Sequence, residues 1–563
     1  MFSFIKKRKE ILILCLIFVA FLCLHLPGIH IPYHQDEYKW VEYSHPEIIP
    51  PGSVPHPPLT ELIYTKIGPL VGDDNFRLIP FFFGIFNFFL LFYLVKIIFN
   101  KRTAFWAVSL FTISFYSLLA SLTVDVDGAV MPFFFLLMCI GYFKWKEKTT
   151  EEKNKWKWAL LMIIGAVGGF LVKVSALLPI IAIFLDYLIE REVFSDKKKV
   201  LKYLLYAFGG AITLVLVLFL AKFIFPFFNL KYSFGYWEHF ATSSSFLSRG
   251  WFQTFIQFFK SILYTSPLLV IPVFFANKEI FKKTRVFYLF IIFGLIFYLF
   301  LFDFSIGALD RYFAFMVIPL CIIVGAIIVE KIKSIKDVKL PFILVATIVI
   351  LIVNSLQFLS QAVPPLYPKT EWVHRILSLH WNFLYPFSGG SGPLGFYISW
   401  MFIGIMWLFG VGLFIWYFLN KERKSTVLAI IMLLGFVYNG VFIQEYLFGS
   451  TNGSAPKLVK ESVEYIKNNP SVDKVVVYND NGGWDVRGTG KYVRRLYATP
   501  QFEDSYREFF KDYFGYILYI DIPRIGSDTY YSKYFDSCSV VYKDSDKYIN
   551  AEVLKCSTAG INK

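Results

Sequence analysis

Charge is what this sequence has least of. Asp, Glu, Lys and Arg make up 17% of its 563 residues, where a soluble domain carries about a quarter. The deficit is local. Stretches such as 76–99 and 203–225 are almost free of charge, and each has the length of a helix that crosses a hydrocarbon core of ~30 Å. Gly-rich phosphate loops, paired Cys-x-x-Cys motifs and nucleophile elbows are also missing, so the function classes built on them are not indicated. No internal repeat is evident, which weighs against transporters made of two related halves. Cysteine is scarce at six residues. Cys15, Cys23, Cys139 and Cys321 fall in apolar runs and read as small apolar residues. Cys538 and Cys556 are the only pair in the polar C-terminal region and flank two strand-like runs. A disulfide across a hairpin fits them if that region lies outside the cell, although spacing does not set the geometry.

What is abundant is apolar and aromatic surface: 56% hydrophobic residues, 20% aromatic, mean hydropathy +0.55. Apolar runs at 10–28, 77–99, 104–121, 129–145, 158–173, 175–190, 203–225, 261–277, 286–303, 312–330, 341–360, 394–419 and 426–448 predict a polytopic α-helical membrane protein with about thirteen spans. Lys173 interrupts the double-length stretch 158–190. The first run lacks a small-residue cleavage site and is read as a retained anchor.

Lys and Arg crowd the alternate segments 1–10, 96–103, 144–157, 191–202, 278–285, 330–340 and 420–425, and are sparse in the loops between. That asymmetry places the N-terminus in the cytoplasm. An odd number of spans then puts the C-terminus outside, in the cell (plasma) membrane's outer compartment. Basic and acidic residues nearly balance in 449–563, so almost all of the net charge of +15 belongs to the membrane part. A nucleic-acid partner is not needed to explain it. The predicted organisation is a multispan module, 1–448, with a long first outside loop at 29–76, then a small extracytoplasmic α/β domain, 449–563. Its expected elements are a helix over 456–468, a strand over 474–478, a helix over 502–513, a strand over 516–520 and a hairpin around 540–554.

The loop 29–76 is long for a simple connection and holds Asp36 and Glu37 just after the first span. One carboxylate of such a pair can accept a proton while its neighbour orients a substrate or binds a cation; an exposed acidic pair is the plainer reading. His56-Pro57-Pro58-Leu59 follows and opens an amphipathic helix. In the next outside loop Asp125 and Asp127 alternate between two apolar spans, where acids must be solvated or paired. They fit two roles, as oxygen ligands to a divalent cation or as caps on the following helix. Further on stand Gly168-Gly169-Phe170-Leu171-Val172-Lys173 with Leu177-Leu178-Pro179, and Asp310-Arg311-Tyr312 before Pro319.

In this order and on one side of the membrane, these motifs resemble the protein O-mannosyltransferase superfamily. Its relatives include the aminoarabinose transferases, and it is the dolichyl-phosphate-mannose-protein mannosyltransferase type of GT-C glycosyltransferase. The resemblance covers most of 10–330. It implies a GT-C fold and transfer of a sugar from a polyprenyl-phosphate donor to a lipid, glycan or protein acceptor at the outer face. It makes Asp36 the catalytic base and Glu37 its catalytic neighbour. His56, Asp125 and Asp127 become substrate-binding or positioning residues. Lys173, Arg311 and Tyr312 would meet the donor phosphate, where a fixed cation stabilises developing charge and Arg offers two parallel hydrogen bonds. Snorkelling, or pairing of Arg311 with Asp310, is the plainer alternative. In the related oligosaccharyltransferases such acids hold a metal, so Mg or Mn on Glu37, Asp125 and Asp127 is an open expectation.

Other residues carry weaker signals. Trp237, Glu238, His239 and Arg249 in one outside loop, and Glu371, Trp372, His374, Arg375, His380 and Trp381 in another, read first as interfacial anchors. His374 and His380 are poorly spaced for zinc. Gly482-Gly483-Trp484-Asp485 reads as a loop after a strand, and Asn452-Gly453-Ser454 is a single sequon. A transporter or flippase of lipid-linked sugars would share the spans and the membrane-lipid setting. Transporters place essential charges near the midplane, whereas these acids fall in loops, which favours the enzyme.

Overall fold

The computed structural model describes residues 2–147, 152–242, 250–301, 309–334, 337–359, 361–367, 370–388 and 393–556. Each apolar run folds as helix over most of its length. Among the described residues, ten helices are long and apolar enough to cross a membrane. An eleventh span results if Lys101–Ile113 and Phe115–Leu122, which meet at 70°, are taken together. The bend sits at Ser114, which ends one helix in extended backbone and caps the next, its side chain accepting from the Ser117 N–H at 3.4 Å. Two further runs of the expected thirteen are shorter helices, Val130–Lys146 with 17 residues and Leu177–Glu190 with 14. Helix Lys197–Ile224 leaves Leu204, Leu205, Phe208, Leu216 and Phe223 exposed. In water that surface would be costly; lipid covers it, and the helix satisfies its own backbone groups.

The chain forms two compact units, each drawn from separate stretches. The first comprises Met1–Ile29, Lys39–Val338 and Asn420–Leu428; the second comprises His30–Tyr38, Lys339–Leu419 and Ala429–Lys563. In the first, helices Val130–Lys146 and Glu152–Val172 approach backbone to backbone. A Cβ on Gly141 would lie 2.5 Å from the Met162 nitrogen, and one on Gly165 would lie 2.5 Å from the Met138 nitrogen. Small residues let membrane helices come this close. Helix Val317–Lys331 is almost wholly buried, with Gly325 against Ala107 of the bent helix.

The second unit contains helices Leu340–Ser355 and Trp400–Leu419, an interfacial-type helix Thr370–Leu377, and a sheet domain. The hairpin β1 (Leu384–Phe387) and β2 (Phe396–Ser399) was not expected from the sequence. The remaining strands are β3 (Val475–Tyr478), β4 (Tyr492–Leu496), β5 (Gly515–Ile520), β6 (Ser539–Asp546) and β7 (Ile549–Cys556), in the order β4-β3-β5-β7-β6. β3 runs parallel to β4 and β5, while β7 is antiparallel to β5 and β6. Helices Ala455–Asn468 and Glu503–Lys511 and the hairpin lie where the sequence places them. β4 escaped notice because an edge strand carrying Arg494 and Arg495 shows no apolar run. Cys538 and Cys556 are joined in a disulfide. Asn452 of the sequon is buried; its side-chain amide donates to the Tyr397 carbonyl at 3.0 Å, and its N–H donates to Glu445 Oε2 at 2.9 Å.

Candidate active site

In the first unit the loop 123–129 is fixed from several sides. Arg77 is buried and donates to the Leu122 carbonyl at 2.8 Å, Asn87 donates to the Ala129 carbonyl at 2.8 Å, and Tyr64 donates to the Asp125 carbonyl at 2.8 Å. Gly128 allows the loop to lie on the bent helix, since a Cβ there would meet the Ala120 carbonyl oxygen at 2.3 Å. Lys173 ends helix Glu152–Val172, whose glycine contacts set its distance from helix Val130–Lys146 and so from the loop preceding it. Lys173 Nζ meets Asp127 at 2.6 and 2.5 Å, and both side chains are buried. Arg311 Nε lies 3.1 Å from Asp125 Oδ2.

Both cations also converge on one ring. Lys173 Nζ sits 4.2 Å from the centroid of Tyr312, and the Arg311 guanidinium lies 5.0 Å from it and donates to its hydroxyl at 3.2 Å. Tyr298 stacks on the Tyr312 ring, with centroids 5.5 Å apart. Such cation–ring contacts strengthen when desolvated. Burial pushes the Asp125 carboxyl up from its ordinary value, against the pull of Arg311 and Lys173. His56 is buried against Trp40, with ring centroids 5.7 Å apart. Burial, then the charges of Lys173 and Arg311, hold its imidazole well below the usual range, so it is neutral. The sequence-predicted residues His56, Asp125, Asp127, Lys173, Arg311 and Tyr312 therefore form one connected group. The side chains of Asp310, Trp237, His239 and Arg249 lie outside the described residues.

Asp36 and Glu37 belong to the second unit. Asp36 is half-buried and opens helix Asp36–Glu42. Glu37 is buried, and its Oε2 accepts from the His34 N–H at 3.0 Å, the position of a capping carboxylate at a helix start. Around them the sheet domain supplies groups that the sequence did not flag. Tyr38 donates to Asp480 Oδ2 at 2.7 Å, and Arg487 lies over the Tyr38 ring at 4.9 Å. Trp484, read from the sequence as part of a plain loop, stands in helix Gly483–Gly488 and packs on Tyr33 and Tyr38 at 6.1 and 6.2 Å. The turn-rich Asn479-Asp480-Asn481-Gly482 after a strand was the one available signal. In the loop 361–393, Trp372 is buried and Arg375 pairs with Glu371 at 3.2 Å, as an anchoring helix would.

The carboxylates do not fit a divalent cation as they stand. Asp127 has both oxygens on an ammonium, Asp125 faces a guanidinium, and Glu37 caps its own turn. Among the described residues no three His, Cys, Asp or Glu side chains come together as ligands.

Residues 55–222 match the family model described as Dolichyl-phosphate-mannose-protein mannosyltransferase. The chain's fold is similar to that of ArnT from Cupriavidus metallidurans in the apo state, with a TM-score of 0.54 and 12% identity over 99% of both chains. It is also similar to the same protein bound to undecaprenyl phosphate, with a TM-score of 0.52 and 14% identity over 98% of this chain and 99% of that one. Among curated proteins no sequence matches. The matched stretch 55–222 includes His56, Asp125, Asp127 and Lys173.

Proposed function

We propose that this chain is a membrane glycosyltransferase of the GT-C type that moves a sugar from a polyprenyl-phosphate donor to an acceptor hydroxyl or amine at the outer face of the membrane. The observation that carries the reading is the convergence of Lys173 and Arg311 on Tyr312, with each cation restrained by a buried acid. An anionic group bound there meets cations whose reorganisation is already limited, which is how preorganised charge stabilises a departing phosphate. The related ArnT structure with undecaprenyl phosphate supports a lipid phosphate as the group in question. The wealth of lipid-type helices supports an integral membrane setting, and the Lys and Arg distribution supports a cytoplasmic N-terminus and an extracytoplasmic sheet domain.

In the step proposed, the acceptor O–H or N–H gives its proton to the Asp36 carboxylate as its heteroatom bonds to the anomeric carbon. The bond from that carbon to the phosphate oxygen breaks, and its electron pair leaves on polyprenyl phosphate. A single displacement inverts the anomeric centre. The leaving phosphate is a weak base and needs no general acid. His56, kept neutral by burial and by the charges of Lys173 and Arg311, is suited to orient groups by hydrogen bonding rather than to carry charge. The test is transfer by the purified full chain from a short-chain polyprenyl-phosphate sugar, with Asp36→Asn alongside. Loss of a general base lowers turnover by about 10²–10⁴-fold. Wild-type turnover in Asp36→Asn overturns the assignment.

A further inference from the structure

The stretch His30–Tyr38, which carries Asp36, is built into the same unit as the sheet domain. Its contacts fall on the loop that follows β3, at the carboxyl end of the parallel strands, where α/β sheets gather their functional groups. His34 Nε2 and the Asn479 carbonyl are 2.9 Å apart, and Tyr38 donates to Asp480. Both sides of this contact hold unfavourable backbone. Gln35, immediately before Asp36, has φ 47°, and Asn479 and Asp480 have φ 50° and 60°. A left-handed non-glycine residue is strained and persists where the surroundings over-determine it, most often beside working groups.

Asp480 is itself costly. It is fully buried, and among the described residues its Oδ1 has no hydrogen-bond partner. An asparagine would accept from Tyr38 with less desolvation, so hydrogen bonding alone does not explain a carboxylate here. Arg495 and Arg487 act electrostatically on Asp480. Arg495 in turn is within electrostatic reach of Asp36, Tyr38 and Asp480, and its guanidinium lies over the Tyr497 ring at 5.0 Å.

We infer that the loop after β3 is the seat of the catalytic carboxylate, with Asp480 acting through Tyr38, and Arg495 on the neighbouring strand β4, as positioning residues supplied by the sheet domain. The inference rests on Asp36 being the base. Tyr38 stands two residues beyond Asp36 in the first turn of the helix, so releasing its hydroxyl frees that turn to rotate. A displacement of 1 Å in a catalytic group can cost ~10²-fold in rate.

The experiment measures steady-state transfer and thermal unfolding in the full-length protein carrying Tyr38→Phe, Asp480→Asn, Arg495→Gln or Arg495→Lys. Tyr38→Phe and Arg495→Gln lower kcat by about 10–100-fold, while KM for the polyprenyl-phosphate donor stays within roughly 2-fold and Arg495→Lys recovers part of the rate. Tyr38→Phe with Asp480→Asn is no slower than Tyr38→Phe alone, because both act through one bond. Tyr465→Phe is the control: it removes a tyrosyl bond to the Val541 carbonyl elsewhere in the same domain and leaves kcat unchanged. Wild-type kcat in Tyr38→Phe and Arg495→Gln, with Asp36→Asn inactive, overturns this inference alone. An equal fall in Tyr465→Phe also overturns it, since the effect would then be domain-wide. An active Asp36→Asn overturns the reading beneath.

Discussion

Lys173 holds both carboxylate oxygens of Asp127, at 2.6 and 2.5 Å, with both side chains buried. Removing one partner of such a pair leaves a buried uncompensated charge and costs about 3–5 kcal/mol. Lys173→Met is therefore expected to lower thermal stability sharply, and adding Asp127→Asn to restore much of it. Donor affinity behaves differently: it falls in Lys173→Met and stays low in the double variant. If the second substitution also restored donor KM, Lys173 would be a structural counter-ion only.

Arg311 offers a planar guanidinium that both stacks on Tyr312 and faces Asp125. Lysine keeps the charge but not the fork. Arg311→Lys is expected to raise donor KM by about 10-fold, the loss of roughly one charge-assisted hydrogen bond. Binding of a short-chain polyprenyl phosphate, followed by calorimetry, checks this; unchanged affinity rejects the phosphate role.

His56 gives a pH dependence with a definite sign. Burial and the two nearby cations depress its pKa in the folded chain, so below about pH 6.5 the unfolded chain binds the proton that the folded one refuses. Stability from this group is complete above that pH and is lost as the pH falls through it. Melting temperature should drop more steeply between pH 6.5 and 5 in the wild type than in His56→Gln. Parallel slopes would contradict the burial of a neutral imidazole.

Glycine contacts hold the site's spacing. A methyl on Gly165 would stand 2.5 Å from the Met138 nitrogen, and backbone cannot yield as a side-chain tip can. Gly165→Ala is expected to cost about 1–3 kcal/mol and to raise donor KM by separating Lys173 from Asp127. A variant at Gly209, where a Cβ meets nothing within 4 Å, should change neither.

With Asp125 and Asp127 each engaged by a cation, transfer should continue in excess chelator and gain nothing from Mg²⁺ or Mn²⁺. Activity that disappears with chelator and returns with either ion would refute this.

How much of this was legible in the sequence follows from what kind of signal each part leaves. Long apolar runs are unambiguous, so the helices were placed closely, yet their number as spans was not, because the bend at Ser114 and the short helices Val130–Lys146 and Leu177–Glu190 depend on packing. The residues around Tyr312 could be picked out as motifs, but the pairing of Asp125 with Arg311 across 186 positions of chain has no local trace. Asp480, Arg487 and Arg495 were missed for another reason. Their importance comes from a contact with Tyr38 and its neighbours more than 400 residues earlier, and an edge strand bearing arginines looks like a loop.

The burial of Asn452 has a consequence for the protein's own surface. An oligosaccharide can be attached only through the side-chain nitrogen, and here that nitrogen is committed to the Tyr397 carbonyl inside the fold. Once folded, the chain is closed to modification at its sequon, even in a host whose secretory machinery decorates Asn-x-Ser sites.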